Sequence, residues 1–261
     1  MAIGEGLLAA HEQSPVRVLR ANGTSDFVLT ADHAGRLIPA RLGRLGVAES
    51  DLERHIAWDI GIAGVTERLS AALDAAAVLQ TYSRLVIDCN RDPLVPTSIP
   101  EISEVTPVPG NVGISNAARD MRVHEIFTPY HARIAALLDA RAAAGRRTVL
   151  VAMHSFTPVF KGESRAVQVG VLFNRDARLA AVLLALLRAE GDIAVGENAP
   201  YAITDTSDYT VPVHGEKRGL PHVEIEIRQD LIADQAGQAA WAARFAQLLP
   251  AADAAMRAAE A

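Results

Sequence analysis

An α/β fold, with a mixed and mostly parallel sheet covered by helices on both faces, is what this sequence predicts, from three observations. Apolar runs of strand length and β-branched content recur at 27–31, 148–153 and 223–227. Segments of helical length, rich in alanine, alternate with them, the order that favours parallel strands with helices packed on both sides. Half of the 261 residues are hydrophobic, enough for one large core without a second domain.

Taken in order, residues 1–22 read as a peripheral lead-in, partly helical at best. A strand at 27–31 follows, then a loop with His33, Gly35 and Pro39. Ser50-Asp51-Leu52-Glu53 has capping-box spacing and predicts a helix to about residue 73, with Ile56, Ile60, Val65 and Leu69 along one side. Strands are expected near 76–81 and 84–89. Residues 92–115 carry Pro, Ser and Gly without apolar periodicity, and loops of that length in a compact domain are often functional. A helix is expected over 116–144, ended by Gly145, then a strand leading to His154, another over 165–173, and a helix over 176–190 ended by Gly191. Residues 197–220 read as irregular, 223–228 as a strand, and the alanine-rich 235–260 as a final helix. No repeat or linker divides the chain, so one domain over 1–261 is expected.

Composition narrows the function. A formal charge of −6 and no stripe of Lys or Arg beyond pairs such as Arg146-Arg147 argue against a nucleic-acid partner. The single Cys89 excludes an internal disulfide and fits a reducing compartment. The start Met1-Ala2-Ile3-Gly4-Glu5-Gly6 lacks the basic and apolar regions of a signal peptide, and no apolar stretch is long enough to span a bilayer. A cytoplasmic protein acting on a small molecule is the expectation.

His33 and His154 each close an apolar run and open a loop, which places two imidazoles at the strand ends where open α/β sheets bind ligands. Imidazole is the commonest metal ligand, and a catalytic zinc takes three protein ligands with one position left open. Either histidine alone is as well explained by a bond to a backbone carbonyl; the pair in matching contexts points to one zinc. For the third ligand, Asp59 in Trp58-Asp59-Ile60-Gly61 is an acid set among apolar residues, which is unfavourable unless paired or on metal. Asp32 competes with it, although adjacent strand residues face opposite ways. Asp59 has a structural alternative as a partner of Arg84. Arg84 and Arg91 frame Asp88-Cys89-Asn90, and a guanidinium fork suits a substrate carboxylate or a polarised carbonyl. In Val223-Glu224-Ile225-Glu226-Ile227-Arg228, both acids fall on one strand face, suited to proton transfer or to a solvated edge. His124 and His131 are seven apart on a helix, too far for paired ligation, and His11 and His55 read as exposed. His214 and His222 lie in or beside the late irregular segment, where a loop position near the site is open to either. No Gly-x-Ser-x-Gly elbow surrounds Ser155, and Cys89 has no nucleophile context.

Together these pieces resemble the N-formylglutamate amidohydrolase family. The matching segments are Asp32-His33-Ala34-Gly35, Trp58-Asp59-Ile60-Gly61, Ser83-Arg84 through Asn90-Arg91, Pro129-Tyr130-His131, Met153-His154-Ser155-Phe156, Asn198-Ala199-Pro200-Tyr201 and Val223 to Ile227, in family order. The resemblance implies a fold similar to the zinc carboxypeptidases. Asp88-Cys89-Asn90-Arg91 looks like their Asp-x-Asn-Arg segment, whose Asn-Arg pair grips the substrate carboxylate. Glu226-Ile227-Arg228 looks like their Glu-Leu-Arg, which selects Glu226 over Glu224 as base. The implied site has His33, Asp59 and His154 on zinc, Glu226 and Arg84 in catalysis, and Asn90, Arg91 and Ser155 on the substrate. Two departures stand out: a Glu three residues after the first His is absent, Arg36 standing there, and the stretch 213–220 looks longer than in histidine-degradation enzymes. The implied activity is hydrolysis of a small N-acyl amino acid, N-formyl-L-glutamate first. A carboxypeptidase-like metallopeptidase and a non-catalytic binding relative are the alternatives.

Overall fold

A computed structural model describes residues 6–260. Residues 1–5, which carry most of the start read above as leaderless, and residue 261 lie outside the described residues.

The strands in chain order are β1 (Val16–Leu19), β2 (Phe27–Ala31), β3 (Ala76–Gln80), the hairpin β4 (Ile102–Ser103) and β5 (Thr106–Pro107), β6 (Val149–Phe156), the hairpin β7 (Val159–Phe160) and β8 (Glu163–Ser164), β9 (Val169–Leu172), β10 (Val195–Glu197) and β11 (His222–Arg228). Seven of them make one sheet in the order β1-β3-β2-β6-β11-β9-β10. β1 on β3 and β9 on β11 are antiparallel; the other pairings are parallel. The predicted mixed, mostly parallel sheet is the one observed.

Helices cover both faces. On one, Leu29, Leu79, Val151 and Ile225 meet α2 (Ile62–Leu73), α5 (Arg178–Glu190) and α6 (Gln235–Glu260). On the other, Val28, Val78 and Leu150 meet Tyr130, Ile134 and Leu138 of α4 (Thr128–Ala143). The central strands are apolar on both sides because both sides are covered. α3 (Asn116–Arg122) begins on Ser115, whose Oγ accepts from Ala118 N–H, and runs through a π-helical turn at Val123–Phe127 into α4, giving the long helix expected over 116–144.

Several elements differ from the sequence reading. The helix expected over 50–73 is interrupted: α1 (Glu49–Leu52) is one turn, its N-cap is Ala48, and the Ser50–Glu53 capping box does not form. Residues 53–61 turn back on the sheet, with Ile56 and Ala57 buried, and α2 starts only after Gly61 at φ 82°. The strand expected at 84–89 is a series of turns, Val86 N–H donating to Ser83 and Arg91 N–H to Asp88. Leu85, Val86, Ile87 and Cys89 are fully buried, so the apolar run packs as irregular chain into the second core. Inside the lead-in lies β1, and residues 165–168 stay outside the shorter β9. The segment 197–220 is irregular as expected, apart from the last residue of β10 and a helical turn at Val211–Gly215 with its 3-10 continuation.

Candidate active site and metal centre

β2 ends at Ala31, and the next two residues, Asp32 and His33, leave the sheet into the buried crevice beside β6. His154 sits two residues before the end of β6, inside the strand rather than after it. Its register partner on β11 is Glu226. Parallel neighbours in register point to one side, so the ladder itself sets imidazole and carboxyl side by side. β11 is central and Glu224 and Glu226 are buried, which removes the solvated-edge alternative.

Asp59 arrives from the turn before α2. Its N–H donates to the His33 carbonyl at 2.9 Å, Ser155 N–H donates to its Oδ2 at 3.2 Å, and Ser155 Oγ donates to the Ile60 carbonyl at 2.9 Å. Gly61 then takes a left-handed φ, and a Cβ there would lie 2.1 Å from the Ile232 carbonyl oxygen. Only glycine lets the chain turn this close to its neighbour.

His33, Asp59 and His154, all buried, hold one ligand atom each within 4.8 Å of the others. Asp59 Oδ2 lies 3.1 Å from His154 Nδ1 and 3.5 Å from His33 Nδ1. The far nitrogens are fixed by other acids: His33 Nε2 by Asp88 Oδ1 at 2.7 Å, His154 Nε2 by Asp32 Oδ2 at 3.2 Å. Thr210 Oγ1 donates to the other Asp32 oxygen at 2.8 Å. Carboxylates behind metal-binding imidazoles orient the rings and set their tautomers. His33 Nδ1 is buried with no hydrogen-bond partner among the described residues, although it faces this cluster. Two imidazole nitrogens and a carboxylate oxygen, one nitrogen orphaned, are a donor set that fits a divalent cation such as zinc. Asp32, the competitor to Asp59, stands behind His154 instead of among these donors.

The charges interlock. Burial works against the Asp59 carboxylate, yet His33 and His154 hold it far below the usual carboxylate range. Burial likewise opposes Asp88, and Arg84 and His33 keep it ionised. Arg84 Nη2 donates to Asp88 at 2.8 Å and Nη1 to Asp59 at 3.4 Å, so the predicted Arg84–Asp59 pair exists alongside the donor cluster. Burial lifts Glu226 to about 8 and Glu224 well above its ordinary range. One oxygen of each is buried without a hydrogen-bond partner among the described residues, that of Glu224 lying 3.9 Å from His154 Nε2.

These groups line a cavity of about 530 Å³. Arg91 lines it, a third exposed, with Nε 4.0 Å from Asp88. Asn90 is engaged with the 208–210 loop: Oδ1 accepts from Tyr209 and Thr210 N–H, and Nδ2 donates to Asp208 at 2.9 Å. One amide proton remains for a ligand. Ser155 reaches the cavity wall, but its hydroxyl holds the Asp59 turn.

Sequence reasoning passed over several lining residues. His55, read as exposed, is half-buried against Phe160 and Glu104. Phe160 belongs to a hairpin that Lys161-Gly162, at φ 50° and 83°, signals in the sequence. Asp208 and Tyr201 sit in the irregular segment, where no periodicity could assign them a direction. Away from the cavity, His131 and His214 form a buried pair, and His222 is buried at the start of β11.

The family model for N-formylglutamate amidohydrolase matches residues 25–233, a span that includes every site residue above. The chain belongs to that family. It is 38% identical to a gene product of Agrobacterium tumefaciens of known crystal structure, covering 96% of this chain and 99% of that one with a TM-score of 0.92. N-formylglutamate amidohydrolase from Ralstonia eutropha JMP134 shares the fold at 17% identity, with 94% and 100% covered and a TM-score of 0.67. No match is found among the curated proteins. Membership of the N-formylglutamate amidohydrolase family makes this chain a hydrolase of an amide bond in a small molecule. No helix among the described residues is long and apolar enough to cross a membrane.

Proposed function

We propose that this chain is a zinc-dependent amidohydrolase of small N-acyl amino acids, with N-formyl-L-glutamate the foremost substrate, acting as one catalytic domain in the cytoplasm. The observation that carries the reading is the convergence of His33 Nδ1, His154 Nδ1 and Asp59 Oδ2, backed by Asp88 and Asp32, with Glu226 one strand away from His154.

His33, Asp59 and His154 would hold the zinc. Bound there, zinc supplies Lewis acidity, which makes water nucleophilic near neutral pH and polarises the amide carbonyl. Glu226 takes the proton of the attacking water and delivers it to the leaving nitrogen. A buried carboxyl raised toward neutrality suits a group that must both accept and donate. Arg84, fixed by Asp59 and Asp88, faces the cavity with a charge available to the developing oxyanion. Arg91 meets the substrate carboxylate, and Asn90 contributes its remaining proton while holding the 208–210 loop. Ser155 supports Asp59 from behind.

The long 92–115 segment lines the same cavity through Thr97, Pro100 and Glu104, and we read it as an obstacle to the long groove a peptide would need. That favours a small substrate over a carboxypeptidase activity. Zinc analysis of the purified protein, followed by hydrolysis assays on N-acyl amino acids with wild type and Glu226→Gln, tests the proposal. One zinc per chain and turnover lost in the variant are expected. A protein that neither carries nor responds to zinc overturns the metal assignment. Equal binding of an N-acyl amino acid by both forms, without hydrolysis by either, would leave a binding protein.

A further inference from the structure

The cavity wall carries two chemically different sets of side chains. Asn90, Arg91 and Asp208 form a polar group with Asp88. The other set is of rings: His55, Phe156, Phe160 and Tyr201 all line the cavity. Arg165 clamps three of them, its guanidinium 4.7 Å from the ring centres of both Phe160 and Tyr201 and 5.7 Å from Phe156. Arg165 Nη1 also donates to the Tyr201 hydroxyl at 2.7 Å. His55 meets Phe160 edge to face at 6.5 Å.

The clamp is tied to the opposite hairpin. Glu104, nearly buried, accepts from Lys161 N–H at 2.9 Å and from Arg54 at 2.6 Å, joining the β4–β5 and β7–β8 hairpins over the cavity. Apolar surface stays open on this wall: Ile102 is 64% exposed and Tyr201 41%. Rings that line an enzyme cavity, three of them held in place by one guanidinium, are suited to receive an apolar, flat group.

Volume points the same way. Even at ~30 Å³ per non-hydrogen atom, a water's share of the liquid, the roughly twelve such atoms of N-formyl-L-glutamate occupy only about 360 Å³. The cavity of about 530 Å³ has room for a larger acyl group.

Building on the amidohydrolase reading above, we propose that His55, Phe156, Phe160 and Tyr201 form an acyl subsite for an aromatic acyl group of benzoyl size. The carboxylate of the amino acid sits at Arg91 and the acyl group meets the rings. Water adds across the amide, and the products are the aromatic carboxylic acid and the free amino acid.

The test holds the amino acid constant and varies the acyl group. Zinc-loaded protein is assayed on N-formyl-, N-acetyl-, N-hexanoyl- and N-benzoyl-L-glutamate. A kcat/KM for the benzoyl compound at least about tenfold above the others, carried by KM, is expected from ring stacking and burial. In Phe160→Ala the benzoyl-to-acetyl ratio of kcat/KM should fall about tenfold. Hydrolysis of the formyl or acetyl compound with the benzoyl one refused overturns the subsite and leaves the amidohydrolase reading standing. Hexanoyl turned over as well as benzoyl overturns its aromatic character. If no acylglutamate is hydrolysed, the amidohydrolase reading fails, and calorimetric binding to the zinc-free protein decides the subsite by itself. Tighter binding of N-benzoyl- than N-acetyl-L-glutamate, lost in Phe160→Ala, supports it; equal or absent binding overturns it.

Discussion

His33 and His154 stand edge to face with 5.0 Å between ring centres, each turning Nδ1 toward Asp59 and resting Nε2 on its own buried carboxylate. Asp88 and Asp32 therefore aim the rings without joining the donor cluster. Asp88→Asn and Asp32→Asn should each weaken zinc binding by about 10–100-fold with the fold retained. Competition against a chromophoric chelator measures this, and unchanged affinity in both variants would show that the rings need no such support.

Asp59→Ala should lose zinc and activity together. The substitution removes one of three donors and leaves Arg84 with Asp88 as its remaining partner. Circular dichroism should stay native while metal content drops below about a tenth of wild type, because two remaining protein ligands fall short of the three a catalytic zinc takes. Full zinc occupancy in Asp59→Ala would return Asp32 to candidacy.

Glu226→Gln keeps shape and removes the base. We expect kcat to fall by about 10²–10⁴-fold with zinc still bound. Glu224, two residues earlier on the same face and also buried, makes the matched control. Burial pushes it well above the ordinary carboxylate range, and its register partner on β6 is Ala152 rather than His154, so Glu224→Gln should change kcat by less than about tenfold. Equal losses in the two variants would dissolve the distinction between them.

Gly61→Ala probes the turn that delivers Asp59. The new Cβ meets the Ile232 carbonyl at 2.1 Å in a left-handed backbone. The protein should lose about 2–4 kcal/mol of stability, from backbone strain and overpacking together, and bind zinc more weakly. Denaturant titration with and without zinc separates the two effects; a variant as stable as wild type would mean the turn relaxes freely.

His131 and His214 give the fold an acid limit. They stack at 5.2 Å, with a 3.0 Å contact between His131 Nδ1 and His214 Nε2, and His131 Nε2 donates to the Cys89 carbonyl at 2.7 Å. Burial pushes His131 down to about 4 and His214 down to about 3. In the unfolded chain both take up protons below about 6.5, which the folded chain refuses. The stability of this neutral pair is complete above pH 6.5 and declines as pH falls toward 4, by about 1.4 kcal/mol per unit for each ring. Urea melts between pH 7.5 and 5 should show that slope, reduced in His131→Gln. Identical slopes in the two proteins would count against it.

Much of this was legible because burial leaves a mark on composition. The runs at 27–31 and 223–228 are strands because both sheet faces are covered, and covered strands must be apolar. The same rule misled at 84–89, where Leu85, Val86 and Ile87 are equally buried but in turns; apolar content reports burial, not backbone shape. Ser50 and Glu53 have capping-box spacing, but the chain continuing through Ile56 and Ala57 gains more by folding onto the core than by extending a helix. β1 and β10 are short edge strands, whose few residues make no pattern. At the site, the two imidazoles and the acids of β11 could be read in one dimension. That Asp32 and Asp88 stand behind the rings could not, since both depend on which side of His33 and His154 the neighbouring loops fall.

The register between His154 and Glu226 ties reaction chemistry to the middle of the sheet, while Phe160 hangs on the β7–β8 hairpin, Ile102 on the β4–β5 hairpin and Tyr201 on the irregular segment after β10. Substitutions at Phe160, Tyr201 or Ile102 can accumulate without disturbing the β6–β11 ladder. Descendants of such a chain are free to wander among acyl groups and keep one way of breaking the bond. Divergence within lineages of this architecture should therefore concentrate on the ring-bearing wall, and a change of diet should leave the ladder's two residues as they are.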